Sequence, residues 1–214
     1  RRFGHFDSGD GDGGQVVRVN EGFAVITLTE DGGGGLQYFA GSRCAGERDP
    51  SRSGWVLFGP TVSDSWTETV ARLRIVRTAG ACPDRFDQSY TRWRASIVDW
   101  PFLADGRREP TSRTLRTIVS EHYGGPDIAR SHHLERFFLV EDLGMARWER
   151  WENDRSERSM DRARRLSASG RCPIVNGSDA PAAGWVMVDC RTWTNLVTSE
   201  APAATFEWPT GIQQ

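Results

Sequence analysis

Lysine is missing from this chain: every one of the 27 basic side chains is an arginine. A phosphate-cradling loop needs a lysine and a helix after its glycines, so the glycine run at 32–35 reads as a flexible turn instead. No Cys-x-x-Cys pair occurs, which removes zinc ribbons and thioredoxin-type redox motifs. No Gly-x-Ser-x-Gly elbow occurs, which leaves a serine hydrolase without its nucleophile turn. No apolar run reaches membrane-spanning length, so no membrane span is expected. The formal net charge is −2, which gives no electrostatic case for nucleic acid as a partner. Apolar residues are 37% of the chain, below the usual share. Internal repeats are absent too.

What is present points to short strands and long loops. Glycine is frequent, at 23 of 214 residues, and clusters where turns are expected. Nine tryptophans stand beside the arginines. An arginine fork binds carboxylate, sulfate or phosphate at two points and stacks on aromatic rings. The four cysteines, Cys44, Cys82, Cys172 and Cys190, are even in number and widely spaced in turn-rich surroundings. That pattern predicts two disulfides and a secreted or periplasmic protein. Three pairings are open; Cys44–Cys82 and Cys172–Cys190 are favoured because each keeps its loop within one half of the chain. The sequence starts at Arg1-Arg2-Phe3 without Met; for an exported protein the expectation is that a signal has been removed.

Period-two alternation dominates the chain. It predicts strands at 16–19, 23–29, 36–40, 55–58, 70–77, 90–100, 115–123 and 185–193. Residues 134–140 and 145–151 read as a hairpin around Glu141-Asp142-Leu143-Gly144, with a helix over 127–142 as the rival reading. Residues 154–168, highly charged with thin apolar spacing, read as one surface helix. The total is about nine to twelve short strands, a number that favours a single all-β domain over 1–214. The expected architecture is a two-sheet, jelly-roll-like sandwich with at most one or two short helices; a closed barrel is the alternative. Residues 1–15 read as an acidic glycine-rich loop and 199–214 as an extended tail.

The polar faces of these strands carry the candidate chemistry. Glu121 and Tyr123 share a face, as do His133 and Glu135, and as do Arg147, Glu149 and Trp151. Set side by side, they would make a groove suited to a polysaccharide or oligosaccharide. Cleaving a glycosidic bond takes a protonated carboxyl at the leaving oxygen and a second carboxylate as nucleophile or base. Glu121, Glu135 and Glu149 are the candidates, with Arg92, Arg94, Arg147 and Trp151 positioning substrate. Elimination from an acidic glycan is the second enzymatic expectation: arginines neutralise the uronate, His122 or His133 acts as base and Tyr123 as acid. Alternation sends His122 and Tyr123 to opposite faces, which weighs against that pair. Arginines beside each glutamate also fit plain cross-strand ion pairs. A non-catalytic carbohydrate-binding module, or a surface assembly subunit, is the alternative to an enzyme. No cofactor is required. A structural calcium held by Asp7, Asp10 and Asp12 is the one metal site in view.

Overall fold

The computed structural model describes residues 14–30, 35–48, 54–102, 111–141, 143–153, 156–170, 172 and 174–192. Ten strands form one antiparallel sheet: β1 (Gly14–Asn20), β2 (Phe23–Glu30), β3 (Leu36–Gly41), β4 (Trp55–Phe58), β5 (Thr67–Val76), β6 (Asp87–Phe102), β7 (Thr111–Tyr123), β8 (His133–Val140), β9 (Gly144–Glu152) and β10 (Val186–Thr192). The sheet order is β1-β2-β3-β5-β6-β7-β8-β9-β10, with β4 on β2. This is one sheet, not the two of a sandwich, and it does not close into a barrel. Alternation reports which residues face inward, but it does not say whether strands divide between sheets. Here most chain neighbours pair, through connections that range from a tight turn to the long helix-bearing segment between β9 and β10, and β4 is set aside on β2. The tightest is the β1–β2 turn, where Glu21 (φ 50°) and Gly22 (φ 84°) are both left-handed, the geometry of a two-residue hairpin.

The sheet rolls at β2. One edge of that strand pairs with β1 along its length; the other changes partner, from β4 at Ala24–Ile26 to β3 at Leu28–Glu30. That switch carries β4 over the middle of the sheet, where the Ser120 hydroxyl donates to the Leu57 carbonyl and the Trp93 indole N–H donates to the Thr61 carbonyl at 2.8 Å. The enclosed inner face is apolar: Ala24, Ile26 and Val56 from one side meet Trp93, Ile118 and Phe137 from the other. Each large side chain buried there is worth about 1.5–3 kcal/mol.

The outer face of β8 and β9 is buried as well, and β7 has no solvent side from Thr117 to Tyr123. Val98, Trp100, Val119 and Phe138 pack with Val175, while Tyr123, Leu134 and Trp151 pack with Trp185. Val175 and Trp185 belong to the segment leading into β10, which is tied down by Cys172–Cys190. The second disulfide is Cys44–Cys82, and no cysteine is free; both bonds are the favoured pairings. The hairpin reading of 134–151 holds against the helical one. The surface helix, α1 (Glu157–Ser169), is capped by Ser156, whose hydroxyl accepts from the Ser159 N–H, and ends at left-handed Gly170. Among the described residues no helix is long and apolar enough to cross a membrane.

Candidate functional site

Register decides which polar residues meet. Arg92 on β6, Glu121 on β7, Arg136 on β8 and Glu149 on β9 are opposite one another in turn, so they form one row across four strands of the outer face. Arg92 Nε donates to Glu121 Oε2 at 2.5 Å. Arg136 bridges the two glutamates, through NH2 to Glu121 Oε1 at 2.7 Å and NH1 to Glu149 Oε2 at 3.0 Å. Arg147, two residues before Glu149, closes the row with Nε to Oε1 at 2.7 Å. Glu121, Arg136, Arg147 and Glu149 are each at most 2% exposed.

Around the row, Tyr123 donates its hydroxyl to Glu121 and Trp151 its indole N–H to Glu149. Arg92 and Arg94 both lie over the Trp66 ring. Burial alone would push the Glu121 carboxyl up, but Arg136, Arg92 and the Tyr123 hydroxyl together outweigh it and hold the carboxyl below its usual range. The same burial, reinforced by Glu121, pushes the Tyr123 hydroxyl up. Every oxygen of Glu121 and Glu149 is thus engaged inside the protein. The arrangement is a chain of ion pairs that satisfies buried charge.

Glu135 is on the opposite, inner face, so the three glutamates chosen from the sequence do not converge. His133, Glu135 and His122 line a pocket of about 400 Å3 where β2, β3, β5 and β6 meet β7 and β8 at the open end of the roll. The facing wall is apolar, from Phe39, Trp55, Leu73 and Ile75. Trp55 stacks on Phe39 with ring centres 5.2 Å apart, and meets His122 edge-on at 4.8 Å. Glu135 accepts from the Trp148 indole N–H at 3.0 Å and lies 3.6 Å from Arg150. Burial raises its carboxyl above the usual value against the pull of Trp148 and Arg150. His133 is held low by burial and by Arg150, and its ring passes so close to Gly124 that a Cβ there would fall 2.1 Å from Cε1.

His122 is the most enclosed of these groups. Its Nε2 is 2.8 Å from the Ser120 hydroxyl. Because that hydroxyl gives its one proton to the Leu57 carbonyl, it accepts from Nε2–H, and Nδ1 is left as the lone-pair nitrogen. Burial lowers the imidazole to about 3, so the ring is neutral at physiological pH.

Against the sequence expectations, Arg92, Arg94, Glu121, Tyr123, Arg147, Glu149 and Trp151 fall on the outer face, and His122, His133 and Glu135 on the inner. His122 and Tyr123 do part to opposite sides. Asp7, Asp10 and Asp12 lie outside the described residues; among the described residues no group of three His, Cys, Asp or Glu side chains is placed to hold a metal. Arg136 and Ser120 were missed. Ser120 was legible, two residues before His122 on the same strand; Arg136 was not, because its role depends on the register of β8. No family model, no curated protein and no solved structure matches the chain.

Proposed function

We propose that the protein is a binding protein for a small amphipathic molecule taken into the open end of the rolled sheet. The observation that carries this reading is the pocket itself, in which an apolar wall of Phe39, Leu73 and Ile75 faces a polar one of His122, His133 and Glu135. Its volume lies in the range of small-molecule sites. Binding is favoured over glycan cleavage because hydrolysis needs two carboxyls flanking one bond; the pocket is lined by Glu135 and Asp87, and Asp87 is exposed and paired with Arg74 at 2.9 Å. An apolar ring suits the site better than a sugar face, since Trp55 already stacks on Phe39. Two disulfides fit a protein working outside a reducing compartment.

The test is a thermal-shift screen of three sets: aromatic and alicyclic alcohols, neutral oligosaccharides and uronate oligosaccharides. A ligand at 100 times its Kd stabilises by about 2.7 kcal/mol. Members of the first set should raise Tm, and Leu73→Trp, which fills the pocket, should remove the effect. A screen with no shift, or one whose shifts survive Leu73→Trp, overturns the reading.

A further inference from the structure

One arginine on the outer face has no acid. Arg94 on β6 is opposite Val119 on β7, and on its other side the last β5–β6 pair is Thr67 with Trp93, so neither neighbouring strand brings it a carboxylate. Every other described arginine that is buried or half-buried is paired with one. Among the described residues Arg94 makes no ion pair and no hydrogen bond; its contact is the Trp66 ring, whose centre lies 4.8 Å from the guanidinium carbon. A half-buried cation without a counter-charge is costly, and stacking on an indole offsets only part of that cost.

Arg92 stands beside it. Its guanidinium carbon is 4.2 Å from the centre of the same ring, so the two carbons are within about 9 Å of each other, a span that one tetrahedral anion covers with nitrogen–oxygen distances of about 2.8 Å on each side. Trp66 is held there because the Ser63 carbonyl accepts from the Ala95 N–H at 2.6 Å, which lays the segment before β5 along β6. Arg92 gives its Nε to Glu121. The terminal nitrogens of Arg92 and Arg94 bond nothing among the described residues and are open to water; Arg94 Nε is the one enclosed nitrogen of the pair without a partner. Glu68, opposite Arg92 on β5, accepts instead from the Tyr90 hydroxyl.

The charge of this cluster sets the class of guest. Arg92, Arg94, Arg136 and Arg147 surround two carboxylates, Glu121 and Glu149, which leaves two positive charges in excess within a chain of net charge −2. We propose that Arg92 and Arg94 form a site for a tetrahedral dianion, a sulfate or phosphate group held between their terminal nitrogens beside Trp66. A monoanion would leave one of the two charges unmatched. A long polyanion finds no further cations to follow, because Arg136 and Arg147 are buried and bonded to glutamates. The site is on the face opposite the pocket and is independent of it.

The test is isothermal titration calorimetry at constant ionic strength and about pH 8, where a phosphate monoester carries two charges. The probes are inorganic sulfate, inorganic phosphate, phenyl phosphate and methyl sulfate, against the wild type, Arg94→Met, Arg94→Lys and Arg164→Met. Calorimetry reads binding itself, apart from the general stabilisation that sulfate gives a fold. The wild type binds the three dianions at one site, and methyl sulfate, a tetrahedral monoanion, at least about tenfold more weakly. Arg94→Met keeps the bulk beside Trp66, holds or raises Tm in chloride, and weakens sulfate at least about tenfold, as one lost charge-assisted bond requires. Arg94→Lys, a charge without the fork, falls between. Arg164→Met removes the same charge from α1, where Arg164 pairs with Asp161, and leaves sulfate binding unchanged. Phenyl phosphate tighter than inorganic phosphate assigns the site to an ester, and the reverse assigns it to the free ion. No binding of any probe, sulfate affinity unchanged in Arg94→Met, or equal affinity for sulfate and methyl sulfate overturns the assignment.

Discussion

Replacing Arg136 with Met keeps most of the side-chain volume and removes the one guanidinium that touches both buried glutamates. The wild-type group makes four hydrogen bonds: two to Glu121, one to Glu149 and one to the Asp179 carbonyl. With Arg92, Glu121, Arg136, Glu149 and Arg147 the row carries three positive and two negative charges. Without Arg136 each glutamate keeps one arginine, Glu121 with Arg92 and Glu149 with Arg147, so neither charge is stranded. The loss therefore falls at the lower end of the range for a broken buried pair, about 3 kcal/mol. For a chain of this length about 2–4 °C of Tm accompanies each kcal/mol, which gives a fall of about 6–12 °C.

The pH dependence carries its own sign. Arg136 helps hold the folded Glu121 carboxyl below its unfolded value. Such a group stabilises above the unfolded pKa, and the contribution disappears as pH falls through the folded one. Arg136→Met reduces that depression, so its destabilisation is largest near pH 7 and shrinks below about pH 4. Urea unfolding followed by tryptophan fluorescence at pH 7, 5 and 3 measures both. Arg136→Lys, which keeps the charge without the fork, should fall between. A loss under about 1 kcal/mol at pH 7, or one that grows toward acid, would refute the claim that the row is a coupled buried chain.

Two further outcomes are expected. His122 is neutral in the fold down to about 3 but titrates near 6.5 unfolded, so the native state binds fewer protons between those values; stability should drop by about 1.4 kcal/mol per pH unit as pH falls below 6.5, and His122→Phe should flatten that part of the acid limb in urea titrations. The Cys172→Ser, Cys190→Ser double variant opens a loop of 18 residues, worth about 3 kcal/mol of chain entropy, and hydrogen exchange should rise first at 174–185, above the outer face; uniform protection in both forms would contradict the clamp assigned to this bond.

Strand positions were legible because one property, alternation, reports on them locally. Trp55–Phe58 and the 141–144 turn agree with the reading of the residues, and β5, β6 and α1 differ from it by a few residues at their ends. Which strands share a sheet is a non-local property, and β2's change of partner leaves no mark in its own residues. The candidate site divided the same way. Arg147, Glu149 and Trp151 stand two apart on one strand, so their common face could be read. Glu135 against Glu121 and Glu149 could not, because the answer needs the pairing of β7, β8 and β9. The run Arg147-Trp148-Glu149-Arg150 also fits cross-strand ion pairs on sequence alone, and Glu149 is indeed paired in the interior with Arg136 and Arg147.

The outer row also makes hairpin closure intolerant of error. In the native pairing Glu121 meets Arg136 and Arg136 meets Glu149. Sliding β8 by two residues along β7 keeps every side chain on its proper face, so the apolar pattern alone would accept it. The slide sets Glu121 opposite Leu134 or Phe138, an ion against hydrocarbon with no water to relieve it. Four strands thereby share a ratchet whose teeth are charges, and only one setting engages them all.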